Sequence, residues 1–588
     1  MGFLDEAKLL RVNLTEGDVK EEKIPKKVIE KYIGGKGLGA YYLYKELPEG
    51  IDPLSSENKL IFMTGPVTGY VPSTSRYVVI TKSPLTGGWL DSYSGGHFPA
   101  ELRFTGYWGI IFEGQSNEWV ALKIDEDEIE LEAVPSLKGK DTYKVEEHFQ
   151  SYKVASIGPA GENLVRFACI TNDKGRQAGR GGVGAVMGSK RLKAIAVKAD
   201  KDKALKEMPE ELRKLREFHL KRLPKDEDVA WAKDHGTPVI VEWSNSAGVL
   251  PTRNFREGQF EGAKSIDIEA VSNIQQNRKA CYLCPVACSR WVKVPDGLFK
   301  GVEAEGPEYE TISIGGANTG VDNLGAIVAF NDACDRYGMD TISAGVVIGW
   351  AMECTEKGIY DFGIRFGDAK GLVDMVKKIA YRESVGDILA EGVKKAAEKV
   401  GGTGFAVHVK GMEIPGYDPR GSVGMALAYA TADRGGDHLR AWPIAYEAFG
   451  DMDPFAIKGK AEIVVKEQNE NSALWSLTSC DFVKYNTKYA VEMLNASGFN
   501  MTVDEYLIIG ERIYNLTRLF NVREGFGIKE DSLPKRFTEP IQSGAAKGHS
   551  IKPEDFKKML LEYYRLRGWD EEGRPLDETI ERLRLKEL

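Results

Sequence analysis

Residues 198–222, KADKDKALKEMPEELRKLREFHLKR, divide the chain into two textures. Ahead of this charged stretch the apolar runs are short and β-branched: KLIFMTG (59–65), RYVVITKSP (76–84), YWGIIFEG (107–114), WVALKIDEDEIELEAV (119–134), KVASIGPAG (153–161) and KAIAVKA (193–199). Gly, Pro, Ser or Asp separates them, which is the grammar of strands. Behind it stand long segments with apolar residues at i, i+3 and i+4, such as LGAIVAFNDACDRYG (324–338), DTISAGVVIGWAMECTEKG (340–358) and VDEYLIIGERIYNLTRLFN (503–521). Those are amphipathic helices. The fold class is therefore α+β, with a β-rich N-terminal domain at 1–203 and two mainly α-helical domains at 204–407 and 408–588. The second boundary is placed at the Gly-rich VGGTGFAVHVKG, and no internal repeat is visible.

The chain has 588 residues, too many for one growing hydrophobic core, so several domains are expected. Its 42% hydrophobic and 28% charged residues are those of an ordinary soluble protein, and a net charge of −9 favours neither nucleic acid nor an anionic membrane. The opening MGFLDEAKLLRVNL carries acids and lacks the apolar core of a signal peptide, and no long uncharged apolar run follows. A cytoplasmic protein is expected.

Three of the seven cysteines crowd into CYLCPVAC (281–288). Such short spacings wrap the backbone around a common point, as metal ligation in a reducing compartment requires. Zinc ribbons usually supply cysteines as two close pairs, whereas a [4Fe–4S] cluster often takes three from one loop and a fourth from afar. The cluster is the better reading for Cys281, Cys284 and Cys288. Cys169, Cys334 and Cys354 lie in apolar segments and read as small buried hydrophobes. Cys480, after Thr and Ser in SALWSLTSCDF, is chosen as the fourth ligand.

A cluster moves electrons but performs no organic chemistry, so a second group must meet the substrate. GRGGVGAVMGSK (179–190) contains G-x-G-x-x-G, but the polar TNDKGRQA ahead of it is no buried strand, which argues against a dinucleotide site. Closely spaced glycines with Arg176 and Arg180 beside them still suit a phosphate-bearing cofactor. In DRYGMD (335–340), Gly338 suits a helix end and Asp340 a helix start, which leaves Asp335 unexplained. EGPEYET (305–311) and the histidine of DRGGDHLRAW (433–442) are each open to a bland structural reading when taken singly.

Taken together these stretches resemble the aldehyde:ferredoxin oxidoreductases. The likeness runs nearly end to end, through RVNLTEGDVK, LSSENKLIFMTGPVTG, RYVVITKSPLTGG, VASIGPAGENL, AGRGGVGAVMGSKRLKAIAV, CYLCPVAC, EGPEYET, DRYGMDTIS, GYDPRG, LPKRF and YYRLRGW. The resemblance implies a tungsten bis-pterin cofactor lying on the β domain, with Mg²⁺ bridging the pterin phosphates, and a [4Fe–4S] cluster on Cys281, Cys284, Cys288 and Cys480. Arg76 and Arg180 would contact the phosphates, with Gly95, Gly181 and Gly182 admitting the cofactor. Asp335, in a D-x-x-G-x-D stretch with Gly338 and Asp340, would bind a pterin edge, where a carboxylate can accept two adjacent N–H groups.

Glu310 and His438 correspond to an acid–base pair. The implied reaction is oxidation of a small aldehyde by water to a carboxylic acid. Electrons would leave through the cluster to ferredoxin or a small iron–sulfur subunit. Reduction of a carboxylic acid or an aromatic ring, or a non-catalytic iron–sulfur scaffold, are the alternatives; Glu310 and His438 together argue against a scaffold.

Three positions depart from the archetype. Trp475 replaces an aspartate five residues before the last cluster cysteine, and Tyr93 replaces an asparagine beside the magnesium. Ala329 and Asp332 stand where an E-x-x-H pair would bind a metal on the two-fold axis, which argues against a metal-bridged homodimer.

Overall fold

A computed structural model describes residues 4–126 and 128–588. The charged stretch that opens the helical part folds as two helices, Lys201–Lys206, capped by the Asp200 side chain, and Glu210–Arg222, which starts after Pro209. Both large sheets lie ahead of it, as the texture of the sequence leads one to expect, and the rest is mainly helical.

The first sheet holds β1 (Lys8–Asn13), β2 (Asp18–Lys23), β3 (Leu60–Met63), β4 (Tyr77–Lys82), β5 (Trp89–Ser94) and β6 (Tyr107–Glu113), in the order β2-β1-β6-β3-β4-β5. The second holds β7 (Val120–Asp125), β8 (Glu128–Ala133), β9 (Lys153–Ser156), β10 (Ile170–Asn172), β11 (Arg176–Ala178) and β12 (Leu192–Lys198), in the order β8-β7-β12-β9-β10-β11. Adding six to each label of the first order gives the second.

Pairing senses agree throughout: β1–β6 and β7–β12 are parallel, and every other pair is antiparallel. The domain is thus one plan built twice. The sequence hides this because a repeat of topology needs only the same pattern of apolar runs, not the same residues.

Alternate side chains of the first sheet serve two cores, as strands covered on both faces must. Leu10, Phe62, Val79 and Ile110 pack with Leu122, Ile195 and Val197 of the second sheet, and helices from 326 to 397 complete that core. Leu9, Ile61, Val78 and Ile111 point the other way and meet Leu38, Leu474, Leu477 and Ile513. Helices Lys460–Ser476 and Val503–Arg523 therefore close over one face of the β base, against helix Gly35–Glu46. A three-stranded sheet of β13 (Gln275–Lys279), β14 (Ser289–Lys293) and β15 (Glu303–Glu305) stands apart, with β13 at its edge. Among the described residues no helix is long and apolar enough to cross a membrane.

Candidate active site and cluster loop

The three crowded cysteines lie in the loop that joins β13 to β14. Leu283 and Ala287 take positive φ there, 58° and 48°, and fold the loop back on itself. It seats on the first sheet: the Tyr282 N–H donates to the Gly96 carbonyl at 3.1 Å. A Cβ on Gly95 would lie 2.9 Å from the Cys281 sulfur, so only glycine admits this approach.

Cys480 follows helix Lys460–Ser476 after a left-handed turn at Thr478. Ser73 joins the two sources, its hydroxyl 3.2 Å from the Cys284 sulfur and its carbonyl accepting the Cys480 N–H at 2.9 Å. Arg76 donates to the Cys480 sulfur at 3.1 Å and lies 3.3 Å from Asp481.

Burial pushes the Cys480 thiol up to about 11; Arg76 opposes, while Asp481, Cys284 and Cys281 add to the rise. Cys288 is raised by burial too, with Arg176 opposing and Cys480 and Cys281 among the contributors. The four thiols thus influence one another. All four are half-buried, whereas Cys169, Cys334 and Cys354 are fully buried elsewhere. Among the described residues no three His, Cys, Asp or Glu side chains close around a single ion. Four thiols with two arginines beside them are the donor set that an anionic iron–sulfur cluster needs.

Arg180 projects from the turn after β11. Its Nε lies 3.2 Å from Asp340, its Nη1 donates to the Gly436 carbonyl at 2.7 Å, and its Nη2 donates to the Glu413 carbonyl. Gly181 and Gly182 follow with φ of 82° and 93° and lead into helix Val183–Ser189. Gly95 and Gly96 sit at the equivalent place in the first sheet, between β5 and helix Phe98–Phe104.

Gly338 ends helix Leu324–Tyr337 in the left-handed region, and the Asp340 side chain caps helix Thr341–Glu356 by accepting from the Ile342 N–H at 3.0 Å. Asp335 is buried and hydrogen-bonded at both oxygens, to Gln177 at 2.7 Å and Asn331 at 2.9 Å. Burial raises its carboxyl well above the usual range, with Gln177 opposing. Each oxygen keeps a second lone pair for an N–H of a ligand.

Glu310 stands in the first turn of helix Tyr309–Gly315, and its Oε2 accepts the Gly416 N–H at 2.7 Å. Its Oε1 faces Nδ1 of His438 at 3.6 Å. Both of these atoms are buried and neither makes a hydrogen bond. Burial pushes Glu310 up to about 8, against the Gly416 N–H and Arg180, and pushes His438 down to about 4, against Asp437. Near neutral pH the pair is therefore a neutral acid beside a neutral imidazole. The Tyr417 ring packs 5.5 Å from the imidazole and extends to Trp442 and Phe449.

A group of residues that sequence reasoning passes over lies under this site. Lys36 pairs with Asp91 at 3.1 Å and with Asp433 at 2.5 Å; Arg440 pairs with Asp433 at 2.6 Å and with Asp91; Arg434 pairs with Asp437 at 3.0 Å. All six are buried, and three cations balance three carboxylates. Tyr93 donates to Asp91, and its ring lies 5.1 Å from that of Trp475, on which the Arg440 guanidinium rests at 4.8 Å. The two substituted positions therefore touch each other and the same ion group. The available signal was a lysine between two glycines in GGKGLGA and four charges within DRGGDHLR. Ala329 is buried, and Asp332 is bound to Arg336 at 2.8 Å.

The buried Nε of Arg76 and hydroxyl of Ser479 make no hydrogen bond. Unpaired buried donors of this kind suit a large polar anionic ligand. Residues 9–199 match the N-terminal domain of aldehyde ferredoxin oxidoreductase, and residues 214–585 match its domains 2 and 3. The chain is 42% identical to the tungsten-containing aldehyde ferredoxin oxidoreductase of Pyrococcus horikoshii, with 99% of each chain covered. It is 33% identical to the WOR-like subunit of an aliphatic sulfonate oxidoreductase of Pyrococcus furiosus, over 99% of this chain and 97% of the other.

Among solved structures, the active-site complex BamBC of benzoyl coenzyme A reductase shares the fold, with a TM-score of 0.83 at 24% identity and coverage of 100% and 98%. The four thiols fit a [4Fe–4S] cluster, and the arginines and Asp335 fit tungstopterin. The chain belongs to the aldehyde ferredoxin oxidoreductase family and is a tungsten-dependent oxidoreductase.

Proposed function

We propose that the protein oxidises a small aldehyde with water to the carboxylic acid, in the cytoplasm, and passes the electrons to ferredoxin or a small iron–sulfur subunit. Aldehyde and water give acid, two electrons and two protons. Tungstopterin supplies a two-electron acceptor, and the cluster passes electrons on singly. Arg76 and Arg180 would hold its phosphates, beside Gly95, Gly181 and Gly182, and Asp335 a pterin edge.

The observation that carries the reading is the unpaired facing of Glu310 and His438. Ionised Glu310 takes the proton released as water oxygen bonds to the carbonyl carbon, a role suited to a carboxylate of raised pKa. His438 donates a hydrogen bond to the carbonyl oxygen, where negative charge develops. The Gly416 N–H fixes the other oxygen of Glu310, so the free one stays aimed at the imidazole. Ala329 offers no ligand, so Asp332, held by Arg336 through one oxygen, leaves no ligand pair for a metal-bridged homodimer.

Metal analysis with aldehyde-dependent dye reduction in ¹⁸O-water tests the reading. The expected result is tungsten and iron in the protein, with one labelled oxygen in the acid. Full metal content with no aldehyde turnover would overturn it.

A further inference from the structure

The chain carries a net charge of −9, yet residues 275–293, QQNRKACYLCPVACSRWVK, hold Arg278, Lys279, Arg290 and Lys293 and no carboxylate, and of these cations only Lys293 has an ion pair among the described residues, with Glu303 of β15 at 2.8 Å. These are β13, the cluster loop and β14. Residues 276–279 are exposed, and β13 is the edge strand of its sheet. Arg278 and Arg290 face each other directly across the ladder, a like-charge pair that costs stability. Their donors go to carbonyl oxygens of Val286, Ala287, Cys288 and Lys233, so their charge is held in place without being cancelled. Lys279 lies over the Trp291 ring at 5.1 Å. Cys281, Cys284 and Cys288 sit between these cations, half-buried, at the tip of the ribbon.

We propose that this basic ribbon is the docking surface for a small acidic iron–sulfur electron carrier of the ferredoxin class. The proposal rests on the electron route of the proposed function and adds the surface and the charge of its partner. One electron leaves the cluster of this chain, which is oxidised, and reduces the cluster of the carrier. An acidic protein approaching a −9 chain is repelled overall, so a local cation field beside the cluster both steers it and selects the productive face. A lysine on an edge strand also blocks strand pairing. Glutamate would block equally well, so blocking does not set the sign of the charge; the Trp291 ring and an acidic partner both select a cation.

The test uses holoenzyme reduced with dithionite and desalted, mixed in a stopped-flow instrument with a strongly acidic oxidised ferredoxin or with benzyl viologen. This reads electron exit without aldehyde turnover, so failure of the aldehyde reading leaves the measurement intact. The wild-type rate constant toward ferredoxin should fall steeply with salt. Lys279→Glu should lower it about tenfold at low salt and flatten the salt dependence, with the cluster spectrum unchanged and the dye rate within about twofold. Gln276→Glu, at an exposed position of the same strand, should act in the same direction. A Lys279→Glu rate equal to wild type with ferredoxin, or an equal loss with both acceptors, would overturn the proposal.

Discussion

Glu310 Oε1 lies 3.6 Å from His438 Nδ1, both atoms buried and neither hydrogen-bonded. Two buried polar groups that face each other without bonding form a site waiting for a third atom, because an unmade buried hydrogen bond is costly. Replacing Glu310 with Gln, or His438 with Ala, should each lower aldehyde turnover about 10²-fold or more with tungsten content unchanged. Steady-state kinetics beside metal analysis checks this, and near-wild-type turnover would remove both residues from the reacting carbon.

The raised carboxyl sets a pH dependence of known sign. A general base works only when ionised, and Glu310 is half ionised at about 8. Below that value kcat/KM should rise about tenfold per pH unit and then level off. His438, pushed down to about 4, stays neutral over this range and adds no second limb. The profile of Glu310→Gln should lack the rise. A wild-type profile that falls with pH would assign Glu310 the acid role instead.

Cys480→Ser should weaken or abolish the [4Fe–4S] electron paramagnetic resonance signal, while Cys354→Ser, buried among apolar side chains, should leave it intact. Equal behaviour of the two variants would remove Cys480 from the ligand set.

Much of this was legible because it depends on neighbours in sequence. Strand runs, the caps at Gly338 and Asp340, and the tight cysteine spacing are local patterns. Asp335 is different: its partners Gln177 and Asn331 come from β11 and from its own helix, and no sequence spacing shows that both oxygens are occupied. The six-charge group is harder still, since Lys36, Asp91 and the 433–440 loop meet only after helix Gly35–Glu46 is packed between the first sheet and the C-terminal helices. Single charges in sequence read as surface, and only mutual burial shows otherwise.

That group yields a stability prediction. Asp433→Asn leaves Lys36 and Arg440 short of a carboxylate in a fully buried setting, which costs roughly 3–5 kcal/mol. Asp18→Asn, whose partner Lys20 is well exposed, should leave stability close to wild type. Thermal-inactivation half-lives compare the two, and similar half-lives would mean that water reaches the group.

Purification without a tag should bring down a second, smaller iron–sulfur polypeptide, with iron beyond the four atoms of one [4Fe–4S] cluster. Asp332 has no second ligand beside it at Ala329, so Asp332→Ala should leave the assembly unchanged. A homodimer that dissociates on chelation would contradict both expectations.

The doubled β plan also fixes an order of events during synthesis. Every strand of both sheets has been synthesised by residue 198, and each sheet pairs only strands of its own half. The strands beneath the cofactor are thus made before the helices from 326 to 397 that complete the core between the two sheets. One face of the first sheet, with Ile61, Val78, Ile80 and Ile111, packs on helix Gly35–Glu46 from the start, and residues 473–520 close over that helix only at the end. The same late segment brings Cys480, so covering the apolar face and completing the thiol set are a single step. A chain short of residue 480 therefore lacks both its outer apolar layer and the proposed fourth thiol.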